Sequence, residues 1–162
     1  MRQMLIFDSH CDAPSQMHRL RDFLRDNRRG QVDFPKMARG GVGASYFALY
    51  TYPDLAPDAA TRYALELLSD IYDQVGRAEG TVEFAFSSEE VQENMDNGLI
   101  SILISMENGA PIQKSLALLR MFWRMGVTCM TLTHNADNEI CDSCAGQHRW
   151  GGLSPFGRDA VR

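Results

Sequence analysis

The sequence predicts an α/β protein built on a parallel sheet, and three observations carry that prediction. Short apolar runs alternate along the chain with segments of helical periodicity. One run, residues 99–106 (LISILISM), is apolar almost without a break, as in a strand covered by helices on both faces. Residues able to ligate metals or move protons follow several strand-like runs, where parallel sheets and barrels place their sites.

Each element has its own local reason. Residues 4–7 read as a first strand, and 14–27 as a polar, arginine-rich helix or loop. Gly40, Gly41 and Gly43 mark a turn before a second strand at 43–50. Residues 57–77 form the clearest helix. There Ala60, Tyr63, Ala64, Leu67, Leu68, Ile71, Tyr72 and Val75 recur at spacings of three and four, which makes one buried stripe. A third strand is expected at 82–86. Ser87 lies three residues before Glu90, a capping box that opens a helix to about Asn97, with Gly98 as its stop. The buried run at 99–106 is the fourth strand. A helix at 111–125 ends at Gly126, and β-branched residues make 127–133 a fifth strand. Residues 135–152 read as a polar loop. Ser154 and Pro155 then look like an N-cap and first helical residue, so a last helix runs towards Arg162.

Length and composition narrow the function. At 162 residues the chain can bury one core, and the expectation is one incomplete domain over 1–162, the first half of something longer. A net charge of −5 gives no basic footprint, which argues against a nucleic-acid partner. No apolar run has the roughly 18 residues that span a bilayer, and the N-terminal apolar stretch is too short for a secretion signal. The expectation is therefore no membrane and a cytoplasmic location. The four cysteines, Cys11, Cys129, Cys141 and Cys144, are too few for a disulfide scaffold.

His10 and Asp12, in DSHCDAP, are the first candidates. In an extended segment residues i and i+2 share a face, so an imidazole nitrogen and a carboxylate oxygen converge, a donor pair that zinc accepts. The plainer alternative is a turn in which Asp12 caps the next helix. Glu107 follows the buried run, and a carboxylate there can bridge two ions; alternatively it faces a helix N-terminus near Pro111. His134 follows the fifth strand, either as part of the same site or as a hydrogen-bonded strand-end histidine. Cys141 and Cys144 with nearby His148 could hold zinc, but no fourth ligand is evident, and a solvated loop with free thiols is the expectation. His18 reads as a solvated surface residue, and the glycines at 40–43 lack the spacing of a dinucleotide loop.

Together these segments resemble the membrane dipeptidase (renal dipeptidase) family of zinc peptidases. The resemblance rests on DSHCDAP at 8–14, VDFPKMARGGVGASYFALY at 32–50, SMENGAP at 105–111, GVTCMTLTHN at 126–135 and GLSPFGRDAVR at 152–162. It implies a (β/α)8 TIM barrel, of which this chain covers about the first half, with two zinc ions per complete site. It also implies that His10 and Asp12 ligate the first zinc, that Glu107 bridges both, and that His134 binds substrate and helps stabilise the oxyanion. The implied reaction is cleavage of dipeptides, often with a D-residue at the C-terminal position, by a metal-bridging hydroxide.

The resemblance also implies what the chain lacks. In the family, two further histidines, an arginine and an aspartate from the second half complete the site. This chain alone is then expected to be inactive, and its open sheet edge to drive association, in keeping with the homo-oligomer, a dimer, that the family suggests. Two other readings stay open: an amidohydrolase-like barrel acting on another amide or lactone, and a non-catalytic fragment.

Overall fold

A computed structural model describes residues 6–19 and 21–162, so Met4 and Leu5 of the expected first strand lie outside the described residues. The elements alternate as expected. β1 (Ile6–Cys11) leads to a one-turn helix α1 (Pro14–Met17), then α2 (Phe34–Gly40), β2 (Val42–Tyr50) and α3 (Pro57–Arg77). β3 (Val82–Phe84), α4 (Ser88–Asp96) and β4 (Ile100–Glu107) follow, then a 3-10 turn (Ala110–Ile112), α5 (Leu116–Arg124), β5 (Val127–Thr131) and α6 (Pro155–Ala160).

The strand order is β1-β2-β4-β3, with β5 also paired to β4. β1 runs parallel to β2, and β3 parallel to β4. β3 has only three residues and covers Ile100 to Ile102. On its other edge β4 pairs with β2, and there the Thr51 amide donates to the Glu107 carbonyl at 3.3 Å. β4 is buried along its length save for Glu107, as the unbroken apolar run predicts.

By contact density the chain forms two compact units, 1–48 with 67–104 and 49–66 with 105–162. In the first, Phe23, Phe34 and Phe47 are fully buried, and the Phe34 and Phe47 rings stack at 6.5 Å. Leu67, Ile71 and Val75 of α3 are buried there too. In the second, Ile112, Phe122 and Ile140 are buried, and Trp123 on α5 stands 65% exposed.

Several boundaries differ from the expectations, each for a local reason. Only the four residues Pro14–Met17 are helical; the described residues of the rest of the expected segment are irregular. Its polar side chains take the backbone partners a helix would need: Asp22 Oδ1 accepts from the Leu24 amide, and Asn27 Nδ2 donates to the carbonyls of Asp22 and Arg25. α2 was not foreseen. It starts at Asp33, whose carboxylate accepts the Lys36 amide at 3.0 Å, and ends at Gly41 in the left-handed conformation. The single helix expected over 111–125 is two pieces. Gln113 takes a positive φ, and Ser115 caps the second piece by accepting from the Leu118 amide. The capping box holds: Ser87 Oγ accepts from the Glu90 amide, while the Glu90 carboxylate reaches back to the Phe86 amide at 2.6 Å. That cap ends β3 at Phe84. His18 is not a free surface residue, since its Nδ1 lies 2.8 Å from Asp70 Oδ2.

Candidate active site

His10 lies within β1, and Asp12 is the first residue past it, so the pair straddles the strand end instead of following it. The same-face geometry is as expected: His10 Nε2 is 3.2 Å from Asp12 Oδ1, and both side chains are open to solvent. Asp12 does not cap α1. The N-cap is Ala13, with no side-chain bond, and it is the Asp12 carbonyl that accepts from Ser15 Oγ. The Asp12 carboxylate is thus directed at His10, not at a helix N-terminus. Cys11 between them points the other way and is buried. Burial, with smaller contributions from the nearby Asp8 and Asp12 carboxylates, pushes its thiol pKa up, so Cys11 stays a protonated, poor ligand.

Glu107 is the last residue of β4, and its side chain is 15% exposed. No acid caps the 3-10 turn that follows, which disposes of the helix-terminus alternative. Glu107 Oε1 lies 3.3 Å from His134 Nε2. His134 sits three residues past β5, and its ring meets the Tyr50 ring edge-to-face at 5.0 Å. Its Nδ1 is buried with no hydrogen-bond partner among the described residues. We therefore assign the proton of the neutral ring to Nε2, facing the carboxylate. Glu107 and His134 form a close carboxylate–imidazole pair.

The loop that carries His134 is polar, but it is built, not merely solvated. Ser143 Oγ donates to the His134 carbonyl. The Asp137 carboxylate accepts the amides of Ser143, Gln147 and Arg149, and the first of these bonds does most to hold its pKa down. Asp142 accepts the amides of Trp150 and Gly152. Asn138 bonds the Leu132 carbonyl at 2.7 Å and Asn108 Oδ1 at 3.1 Å, and Asn108 donates in turn to the Thr51 carbonyl. In that loop Cys141 is buried and bridged to Leu153, while Cys144 is exposed, so the expected solvated pair of thiols is only half right. Tyr50, Ser143 and Asn138 escaped sequence reasoning. The one hint was the density of Asn, Asp, Ser and Gly between 135 and 152.

The family model for membrane dipeptidase (peptidase family M19) matches residues 1–162. The dipeptidase aclJ of Aspergillus oryzae is 32% identical over 147 residues, covering 84% of this chain and 34% of that protein. Dipeptidase 3 of Mus musculus is 28% identical over 172 residues, covering 99% of this chain and 34% of that one. The chain spans about a third of the length of these relatives. Among solved structures, the probable dipeptidase PvdM from Pseudomonas aeruginosa superimposes with a TM-score of 0.89 at 24% identity, over 98% of this chain and 44% of that chain. A metallopeptidase from Rhodobacter sphaeroides, solved with a phosphinate mimic of L-Ala-D-Ala, gives a TM-score of 0.85 at 21% identity, over 98% and 55%. These likenesses bear out the α/β class that the sequence predicts and the part of a (β/α)8 barrel that the resemblance implies. With the match running the full length of the sequence, the chain belongs to the membrane dipeptidase family, peptidase family M19.

Proposed function

We propose that this chain supplies one metal-ligand set and the bridging carboxylate of a zinc dipeptidase that hydrolyses the peptide bond of dipeptides. The observation that carries the reading is the donor set. His10 and Asp12 at the end of β1, and Glu107 at the end of β4, are residue types that hold metal ions. One imidazole and two carboxylates suit zinc, with manganese and cobalt as rivals. The convergence of His10 Nε2 and Asp12 Oδ1 within β1 and its end fits such an ion.

Zinc, when bound, supplies a Lewis acid that polarises the scissile carbonyl and brings a water within reach of neutral-pH ionisation. Everything else falls to side chains. Glu107 sets Oε1 3.3 Å from His134 Nε2, and its carboxylate is the bridging ligand in this reading. His134 is the side chain that would donate to a developing oxyanion, and Tyr50 lies edge-to-face against its ring. The Rhodobacter relative was solved with a mimic of L-Ala-D-Ala, which supports dipeptides with a C-terminal D-residue as a first substrate set.

The test begins with metal content after purification without added metal, beside His10→Ala. Zinc on the wild-type chain and its loss in the variant are expected. Equal zinc on both, or none on either after zinc is supplied, refutes the metal centre. A panel of dipeptides, N-acyl amino acids and lactones then separates the dipeptidase from an amidohydrolase of the same fold class.

A further inference from the structure

We infer that Tyr52 determines specificity, as the outer part of an aromatic shelf that takes an aromatic side chain of the substrate dipeptide. The shelf rests on the dipeptidase reading and deepens it, and all its residues belong to the second compact unit. It starts at His134, whose ring meets Tyr50 edge-to-face at 5.0 Å. Tyr50 meets Tyr52 in the same manner at 5.2 Å, with the ring planes 74° apart. Tyr50 ends β2 and Tyr52 lies just past it, and positions i and i+2 of an extended segment share a side. That side is the one on which His134 lies.

The shelf is held in place before any ligand arrives. Thr51, between the two tyrosines, is fully buried. Its amide donates to the Glu107 carbonyl, and its carbonyl accepts from Asn108 Nδ2 at 3.1 Å. The backbone that carries both rings is thereby tied to the residue that approaches His134 and to the next one along. Pro53 biases the backbone of Tyr52 towards the extended region. Tyr63 of α3 supports Tyr52 from another direction, with ring centres 6.0 Å apart. A contact surface whose side chains are already fixed loses little entropy when a ligand lands on it.

This packing does not use up Tyr52, which stays 39% exposed between its two ring neighbours. A fixed, accessible ring one aromatic neighbour away from the substrate-binding histidine is a surface for a ligand's own ring. Stacked or edge-to-face partners there add about two- to tenfold in affinity beyond the area they bury. With the peptide carbonyl at His134, a side chain from either residue flanking that bond extends over the shelf. The tyrosines are uncharged, so they read shape and π-surface and leave the peptide's ammonium and carboxylate to other groups. A methyl side chain is too short to cover Tyr52 and gains nothing from it, so the shelf favours aromatic over small residues.

The experiment uses the zinc-stripped chain, in which no turnover occurs. Phe-Ala, Ala-Phe, Ala-D-Phe and Ala-Ala are each titrated while the ring protons of Tyr52 and His134 are followed by NMR. At least one Phe peptide should shift the Tyr52 signals and bind about two- to tenfold more tightly than Ala-Ala. Tyr52→Ala should reduce that peptide to the Ala-Ala affinity and leave Ala-Ala itself unchanged. Tyr52→Phe should keep the preference, because the ring and not the hydroxyl carries it. Tyr72→Ala, which removes an equally exposed tyrosine from the other compact unit, should change nothing. Equal affinities in the wild type overturn the shelf. So does a Tyr52→Ala chain that weakens every peptide alike, since Tyr52 would then read the termini or only support the fold. Zinc binding measured on the same variants separates the two ideas. A chain with a Tyr52-dependent preference but no zinc upholds the shelf and sinks the metal centre. A chain that binds zinc but treats Phe-Ala, Ala-Phe, Ala-D-Phe and Ala-Ala alike does the reverse.

Discussion

Replacing Asn138 by alanine should cost about 2–4 kcal/mol, far more than a polar loop residue normally would. The figure follows from a bond-by-bond count. Asn138 is buried, and all of its side-chain capacity is used. Nδ2 donates to the Leu132 carbonyl and to Asn108 Oδ1; Oδ1 accepts the amides of Ile140, at 2.8 Å, and Cys141, at 3.2 Å. The two acceptors it leaves behind keep other partners, because Leu132 O also accepts from Gly109 N and Asn108 Oδ1 from Ala110 N. The amides of Ile140 and Cys141 lose the partner that turns the chain there. Two stranded buried amides at about 1–2 kcal/mol each give the estimate. Asn138→Asp is the informative companion: it keeps both acceptors but sets a carboxylate against two oxygens, so it should destabilise as well. Urea denaturation gives the change in midpoint, and hydrogen exchange at Ile140 and Cys141 shows whether the loss is local. A shift below about 0.5 kcal/mol with unchanged exchange at those amides would refute the reasoning.

Two further predictions concern packing and pH. Burial alone would raise the Asp33 pKa, but the Lys36 ammonium and the amides of Asn27 and Lys36 outweigh it and hold the group at about 2, against 3.8 in a free side chain. A depressed folded-state pKa means stability that is fully present above about pH 4 and lost as pH falls towards 2. The loss should be about 2 kcal/mol, visible in urea midpoints across that window and flattened in Asp33→Asn. Gly157→Ala should cost at least about 2 kcal/mol, because the new methyl would sit 1.9 Å from the Ile140 carbonyl oxygen, which is itself fixed by the Ser154 amide at 2.8 Å. An unchanged urea midpoint for that variant would show that α6 can slide away from Ile140.

What the sequence made legible is what depends on short-range periodicity and local chemistry. α3 is found at the residues its apolar stripe predicts, Ser87, Ser154 and Gly126 act where their types suggest, and β4 is dry on both faces. His10, Asp12, Glu107 and His134 could be picked out because each stands at or just past an apolar run that becomes a strand. The rest depends on partners distant in sequence. Asp33 gives no sign in its own neighbourhood that it will be buried beneath Arg21 and Lys36. Tyr50 reads as one more strand aromatic until His134, 84 positions later, lies against its ring. The 135–152 loop looks solvated because its composition is polar, yet that polarity is spent inward. Asp137, Asn138 and Asp142 each collect several backbone amides, doing for an irregular segment what a sheet does for a strand. A histidine that must present one nitrogen to a carboxylate needs such a rigid support, because flexibility of even about an ångström would break the Glu107 contact. The loop that composition makes look least structured is therefore the one on which the geometry of His134 depends.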